Sequence, residues 1–390
     1  MSLVNAAIEK TISSKGNTFC KFLTANDSGE TGGHQSGYLI SNSALKMFFT
    51  KPREELDKVS KQIIKVKWHN DFETESCITW YESKKELRIT KLGKGFPFRG
   101  AEYTGALFVL IKVSEYDYEG YIFEQEEDID SYLDCFGLTP VDLNRMVYND
   151  LTFEGREKLV LGEYAKNFGG NFPSSVEMSK AARMIYDAVS VAKVDSVKRP
   201  DDALVGWVRE EYNLFQALEN ELYSCVLKQG FRAVDEFVEL ANKVLNRRKS
   251  RAGKSLEHHL AALFLNNEVK FAEQVVTEGN KKPDFIFPSG EAYHDLTFPT
   301  YKLTMLAAKT TCKDRWRQIL NEADRLKDDK KYLCTLQQGI SVAQMNEMRD
   351  EGVVLVVPKP HISAYSKEVQ DRIWTVQKFI SYVKERELLT

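Results

Sequence analysis

At 390 residues the chain is long for one domain, and two are expected. Its 43% hydrophobic and 11% aromatic content is that of an ordinary globular protein, and no run is long and apolar enough to span a bilayer. The net charge of -3 excludes binding to nucleic acid through overall charge, so any such binding must come from local basic surfaces.

The N-terminus (Met1-Ser2-Leu3-Val4-Asn5) has no basic segment followed by an apolar one, so no secretion signal is expected. The six cysteines, at 20, 77, 135, 225, 312 and 334, never form CxxC. That argues against a zinc ribbon or a disulfide scaffold and fits a reducing cytoplasm.

Residues 1 to about 170 read as strand-rich. Ser76–Tyr81, Leu107–Val113 and Glu119–Phe123 are short runs of β-branched and aromatic residues separated by Gly and charged turns. Asp128–Cys135 reads as a helix. The simplest picture is a β-barrel-like domain with a few short helices. The boundary falls at Asn167–Ser175, whose Gly, Pro and Ser content breaks helix and strand alike. Beyond it Val176–Val194, Ala203–Gln229 and Ala233–Arg248 carry apolar residues at helical spacing. Lys254–Leu265 reads as a further helix with Leu256, Leu260, Leu263 and Phe264 on one face. Strands are predicted at Asp284–Phe287, Leu303–Ala308, Tyr332–Leu336 and Val353–Val357. The last is continuously apolar, as a central buried strand should be. Strands alternating with helices predict an α/β domain over 171–390.

The chemistry-bearing residues cluster in that second half. Asp284 begins or precedes one strand and Lys309 ends the next. Thr310 and Thr311 are candidate N-caps for a helix through Trp316, Leu320, Ala323 and Leu326, with Glu322 about three turns in. Asp284 and Glu322 are suited to ligate Mg²⁺, which takes oxygen ligands and keeps several waters. Lys309 is suited to orient or deprotonate water, or to hold a phosphate. Two carboxylates and a lysine are what a magnesium-dependent nuclease needs. From the residues alone the set is incomplete. The position two before the lysine, usually acidic in such sites, is Ala307, unless Glu322 substitutes. A surface Pro-Asp turn and a solvated lysine at a strand end are the competing readings. A zinc hydrolase built on His258, His259, His294 and Asp295 is disfavoured, because adjacent histidines on a helix cannot face one site. A non-catalytic DNA-binding regulator is the other alternative.

Three segments resemble the EcoRII restriction endonuclease family: Asn246–Glu257 (NRRKSRAGKSLE), Thr277–Phe285 (TEGNKKPDF) and Lys309–Asp324 (KTTCKDRWRQILNEAD). In the N-terminal half Ala25–Gln35, Arg88–Gly95 and Tyr103–Leu107 resemble it too. The likeness implies an N-terminal DNA-binding pseudobarrel, similar to that of plant transcription factors, and a C-terminal restriction-endonuclease-like fold. It implies a Type II endonuclease cutting double-stranded DNA, with Asp284, Lys309 and Glu322 as the core site. Tyr293 and Glu257 are implied as supporting residues, the latter near the metal. It also implies a homodimer through the C-terminal domain and a cognate DNA methyltransferase in the same system.

Lys313, Asp314 and Arg315 follow the catalytic strand. Lys and Arg donate to guanine O6 and N7, and Asp accepts from cytosine N4. A solvated helical turn is the bland reading; the resemblance implies readers of CC/GG in a CCWGG-like palindrome. Such enzymes unstack central bases into protein pockets. Trp207, Arg209 and Tyr212 are candidates for that pocket, although helix packing explains Trp207 and Tyr212 equally well. The basic run Arg247, Arg248, Lys249 and Arg251 suits phosphate contacts, or else a charged loop between two helices. In the N-terminal domain the resemblance implies a second, effector copy of the site, with His34, Lys84, Glu86, Arg88 and Lys94 as candidate contacts.

Overall fold

The computed structural model describes residues 2–31, 37–147, 161–164, 172–189, 194–313 and 315–388. The chain forms two compact units. The first comprises Met1–Asp150 with Gln337–Asn346 and Ile362–Asp371, and the second comprises Leu151–Leu336 with Glu347–His361 and Arg372–Thr390. Neither unit is one contiguous stretch of sequence.

The first unit is built on a curled sheet of eight strands. In chain order they are β1 (Thr18–Phe22), β2 (Tyr38–Ile40), β3 (Val59–Trp68), β4 (Glu73–Tyr81), β5 (Glu86–Thr90), β6 (Leu107–Lys112), β7 (Asp117–Phe123) and β8 (Arg145–Met146). The spatial order is β2-β5-β4-β3-β7-β6-β1-β8. Only β3 and β7 run parallel; the other pairs are antiparallel. This is the barrel-like domain that the alternating apolar runs predict.

β6 shows why those runs are continuous. Phe108 and Leu110 enter a core with Trp68, Trp80 and Phe96. Leu107, Val109 and Ile111 enter a second core with helices α1 (Leu3–Ser13) and α2 (Glu126–Phe136). With a period of two and both faces covered, every residue from Leu107 to Ile111 is apolar. Gly120 on β7 lies opposite Trp68; a Cβ there would come within 2.6 Å of the indole.

The motif around Ala25–Gly29 is an anchor. Asp27 and Thr24 form a capping box. Asp27 Oδ2 accepts from Lys21 Nζ at 2.7 Å, from Thr24 Oγ1 at 2.7 Å and from the Thr24 amide at 3.0 Å, while Oδ1 accepts from the Leu39 amide at 2.9 Å. Lys21 also donates to the Leu39 carbonyl at 2.8 Å.

The second unit carries three long helices, α3 (Ser175–Val189), α4 (Pro200–Gln229) and α5 (Val234–Asn266), then a five-stranded sheet. The strands are β9 (Ala272–Glu273), β10 (Phe285–Phe287), β11 (Thr304–Lys309), β12 (Lys331–Thr335) and β13 (Val353–Val356), ordered β13-β12-β11-β10-β9. β9, β10 and β11 pair antiparallel; β11, β12 and β13 pair parallel. A short helix α6 (Gly290–His294) follows β10 and helix α7 (Val376–Leu388) ends the chain. Phe264 of α5, Phe285 and Phe287 of β10 and Phe379 of α7 interlock edge to face or at a tilt.

Three expectations change. First, α5 is one 33-residue helix, and the basic run lies in its middle rather than in a loop between two helices. Three of its arginines have partners outside the helix. Arg248 makes a bidentate pair with Glu219 of α4, Arg247 stacks on Phe172 at 4.2 Å and donates to Tyr223 Oη, and Arg251 lies 4.5 Å from the Phe215 ring. Second, Val353–Val356 is an edge strand of the sheet. It is continuously apolar because Trp374 covers its outer side, donating its amide to Leu355 O and accepting from the Val357 amide. Third, among the described residues no α-helix starts at Thr310 or Thr311. The segment Arg315–Asn321 is a 3-10 turn, Glu322 sits in the bend after it, and Ala323 (φ 54°) reverses the chain.

Candidate active site

Antiparallel pairing of β10 with β11 sets Phe285 opposite Leu306 and Ile286 opposite Met305. That register brings Asp284, just before β10, to the end of β11. Asp284 Oδ2 accepts the Ala308 amide at 2.8 Å and lies 3.6 Å from Lys309 Nζ. The other oxygen, Oδ1, accepts from Gln274 Nε2 at 3.0 Å. The same Gln274 nitrogen is 3.4 Å from Glu257 Oε2, which also accepts from Lys254 Nζ at 2.8 Å. Gln274 thus ties α5 to the Asp284 strand. Nothing in the sequence marks it, since an amide side chain beyond a two-residue strand has no periodic or charge signature.

Glu322 completes the site from the bend. Its carboxyl is held above the ordinary range by burial and by the negative charge of Asp284, against the opposing pull of Lys309, Lys331 and Lys281. Its Oε2 atom is buried and has no hydrogen-bond partner among the described residues. Glu257 is likewise pushed up, by burial and then by Asp284. Three carboxyls therefore share one field, although Glu322 is not on the helix expected for it.

The backbone presenting Glu322 is held from below. Lys331, the first residue of β12 and buried, donates Nζ to the carbonyls of Ile319 at 3.4 Å, Leu320 at 2.5 Å and Glu322 at 2.5 Å. Lys281 Nζ donates to the Asn321 carbonyl at 2.6 Å.

Tyr293 stands apart from this cluster. Its hydroxyl donates to Glu278 Oε2 at 2.6 Å and accepts from the Arg325 amide at 3.4 Å. Burial and Glu278 push its pKa well above the ordinary phenol value. Lys313 is buried and Arg315 half-buried, both engaged within the chain, and Asp314 lies outside the described residues.

Of the pocket candidates, Trp207 and Tyr212 are core residues of the helices and Arg209 is exposed. Trp207 packs on His259 at 5.9 Å with Arg183 on its face at 5.8 Å, and its Nε1 has no partner among the described residues. His259 Nε2 lies 2.9 Å from Glu211 Oε2, whereas His258 Nε2 contacts Ser175 Oγ at 3.1 Å. The two histidines thus serve different neighbours. Of the basic run on α5, Lys249 is exposed while Arg247, Arg248 and Arg251 are occupied as described.

In the first unit Lys84 lies in the β4–β5 turn and Lys94 in the loop after β5, both exposed; Glu86 and Arg88 lie on β5. Arg88 Nε donates to Glu86 Oε2 at 3.1 Å, and its buried Nη1 has no partner among the described residues. His34 lies outside the described residues.

The chain is similar in sequence to known proteins. The family described as Restriction endonuclease EcoRII, N-terminal, matches residues 13–134, and the family described as EcoRII C terminal matches residues 215–380. The Type II restriction enzyme EcoRII of Escherichia coli is 38% identical over 392 aligned residues, covering 93% of each chain. Among solved structures, metal-depleted Ecl18kI in complex with uncleaved, modified DNA has a TM-score of 0.46 at 18% identity over 60% of this chain and 85% of that one. The restriction endonuclease PspGI–substrate DNA complex has a TM-score of 0.44 at 16% identity over 55% of this chain and 93% of that one. On the two domain matches and the full-length relative, the chain belongs to the EcoRII family of Type II restriction endonucleases.

Proposed function

We propose that the protein cleaves double-stranded DNA at a CCWGG-like palindrome in a Mg²⁺-dependent reaction, and that its first unit binds a second, effector copy of the site. One observation carries the catalytic part: Asp284, Lys309 and Glu322, from two strands and a bend, share one electrostatic site in which Glu322 Oε2 has an unfilled acceptor position.

The residues fit the metal. Among the described residues no three His, Cys, Asp or Glu side chains form a complete cage, but Mg²⁺ needs only one or two carboxylates and keeps its waters. Asp284 and Glu322 would hold it, with Glu257 behind them. When bound, the ion supplies activation of the attacking water and neutralisation of charge growing on the phosphate. The rest is this chain's work. Lys309 places a cation beside Asp284, where a scissile phosphate oxygen or an attacking water can be held. The Ala308 amide and Gln274 fix both oxygens of Asp284, so the carboxylate does not need to reorganise.

For recognition, we assign Lys313, Asp314 and Arg315 to the G·C pairs and Trp207, Arg209 and Tyr212 to an unstacked central base. Lys249 is the open phosphate contact on α5. Arg247, Arg248 and Arg251 reach phosphate only by giving up their present partners. Arg88, with its unfilled donor, leads the effector surface, with Glu86, Lys84, Lys94 and His34 beside it. The palindrome matches a two-fold homodimer through the second unit. The host DNA would be protected by a cognate methyltransferase. Tyr293 acts through Glu278 and the Arg325 backbone rather than on the phosphate.

Digestion of a plasmid carrying every CCNGG variant tests the reading. Mg²⁺-dependent cuts at CCWGG, stopped by EDTA and stimulated by an uncut duplex of the same site, are expected. Binding without any cleavage at all Mg²⁺ concentrations favours a regulator instead.

A further inference from the structure

Outside the catalytic carboxylates, two lysines, Lys331 and Lys281, hold the backbone of the Glu322 bend. Four successive carbonyls, from Ile319 to Glu322, point at two ammonium groups. A 3-10 turn leaves its last carbonyls without amide partners, and a cation is the natural group to take them. Surface lysines usually do this with free rotation. Lys331 does it from inside the protein, only 3% exposed, at the start of a strand paired on both sides. Burying an ammonium costs several kcal/mol unless it is well paired. Three carbonyls around one Nζ provide that pairing.

One 3-10 hydrogen bond, from the Glu322 amide to the Ile319 carbonyl at 3.0 Å, reaches the bend, and left-handed Ala323 ends the turn there. It must also present a carboxyl toward a second carboxylate, Asp284, which repels it. Glu322 therefore needs both a fixed backbone and nearby positive charge. Lys331 and Lys281 supply both and touch neither Asp284 nor Lys309.

We propose that Lys331, assisted by Lys281, is a positioning residue for the metal-binding carboxylate: it clamps the backbone of 319–322 so that Glu322 stands ready for the ion before the ion arrives. The inference rests on the Mg²⁺-dependent cleavage proposed above. Loss of the clamp leaves DNA recognition intact and lowers metal affinity by about 10- to 100-fold, the usual effect of removing a group that orients a ligand.

The test uses the full-length protein bound to a CCWGG duplex, with Mn²⁺ as probe. Free Mn²⁺ is read by electron paramagnetic resonance, and the Mg²⁺ concentration giving half-maximal cleavage is read in parallel. Lys331→Met is expected to weaken Mn²⁺ binding and raise the Mg²⁺ requirement by the same factor, with duplex affinity in metal-free buffer unchanged. Lys331→Arg, which can still donate to carbonyls, should recover part of both. Lys281→Met should shift both in the same direction by less. Should Lys331→Met fail to fold, the more accessible Lys281→Met decides: a shift in Mn²⁺ affinity supports the clamp and none overturns it. Wild-type metal affinity and cleavage in both lysine variants also overturn it. A wild-type protein that neither binds Mn²⁺ nor cuts refutes the parent reading, and the clamp's role with it; that result is distinct from a cutting enzyme indifferent to both lysines.

Discussion

Two carboxylates, Asp27 in the first unit and Glu322 in the second, are treated in opposite ways. Asp27 in the first unit accepts four hydrogen bonds, including one from a lysine that is itself buried. Glu322 in the second is half-buried, with its sealed Oε2 unpaired among the described residues and a like charge nearby. Asp27 is a structural group: its charge is met in full and the chain around it is fixed. Glu322 is held in a costly state by its surroundings, as a group is when its partner arrives from outside. Buried polar atoms are nearly always satisfied in folded proteins, so an exception in a cluster of like charges makes a candidate site.

The largest effect that sharpens this contrast is on chemistry. Asp284→Ala should remove detectable plasmid cleavage while gel-shift binding of a CCWGG duplex persists. Retained cutting would end the assignment. Next comes the structural carboxylate. Asp27→Asn leaves Lys21 buried without its counter-charge and should destabilise the first unit by about 3–5 kcal/mol. Urea unfolding that matches wild type would show that Asp27 is not the anchor described. Smaller again is recognition. Arg315→Ala should lose roughly 1–3 kcal/mol of discrimination at one G·C pair, read from cleavage rates on duplexes with single substitutions.

The smallest effect is the most diagnostic, because its sign is reversed. Glu322→Gln should abolish cutting yet raise the metal-free melting temperature by about 2–4 °C, the equivalent of roughly 1 kcal/mol in a domain of this size. The pH dependence follows the same sign. A carboxyl raised by folding binds its proton more tightly in the folded state, so stability falls as pH rises through that raised value. Wild-type protein should therefore gain on Glu322→Gln as metal-free buffer is taken from neutral to mildly acidic pH. A constant gap between the two melting temperatures would count against the shared field.

Much of the second unit was readable from residues. The ends of two strands placed Asp284 and Lys309, and helical periodicity placed α3 and α4 to within a few residues. The failures have one cause. The 3-10 turn at Arg315–Asn321 was expected as an α-helix, since apolar spacing at Trp316, Leu320 and Ala323 fits either. The choice falls to Lys331, outside the turn's own periodicity, and to Lys281, 40 residues from its partner, which take the carbonyls that an α-helix would use. The sequence leaves the basic run of α5 open between phosphate contacts and a charged loop, because its partners, Glu219, Tyr223 and Phe172, are distant. Gln274 left no trace at all.

Local pattern alone pointed to a strand-rich half and a helix-and-strand half, to the apolar stretches that form both sheets, and to two of the three groups of the proposed site. It could do so because alternation and helical spacing are imposed by burial one element at a time. Which oxygens remain unpaired, which cations are sealed inside, and whether a turn closes as 3-10 or α were settled only when remote segments met. Those outcomes depend on hydrogen-bond partners and local dielectric, and neither exists until the chain has folded.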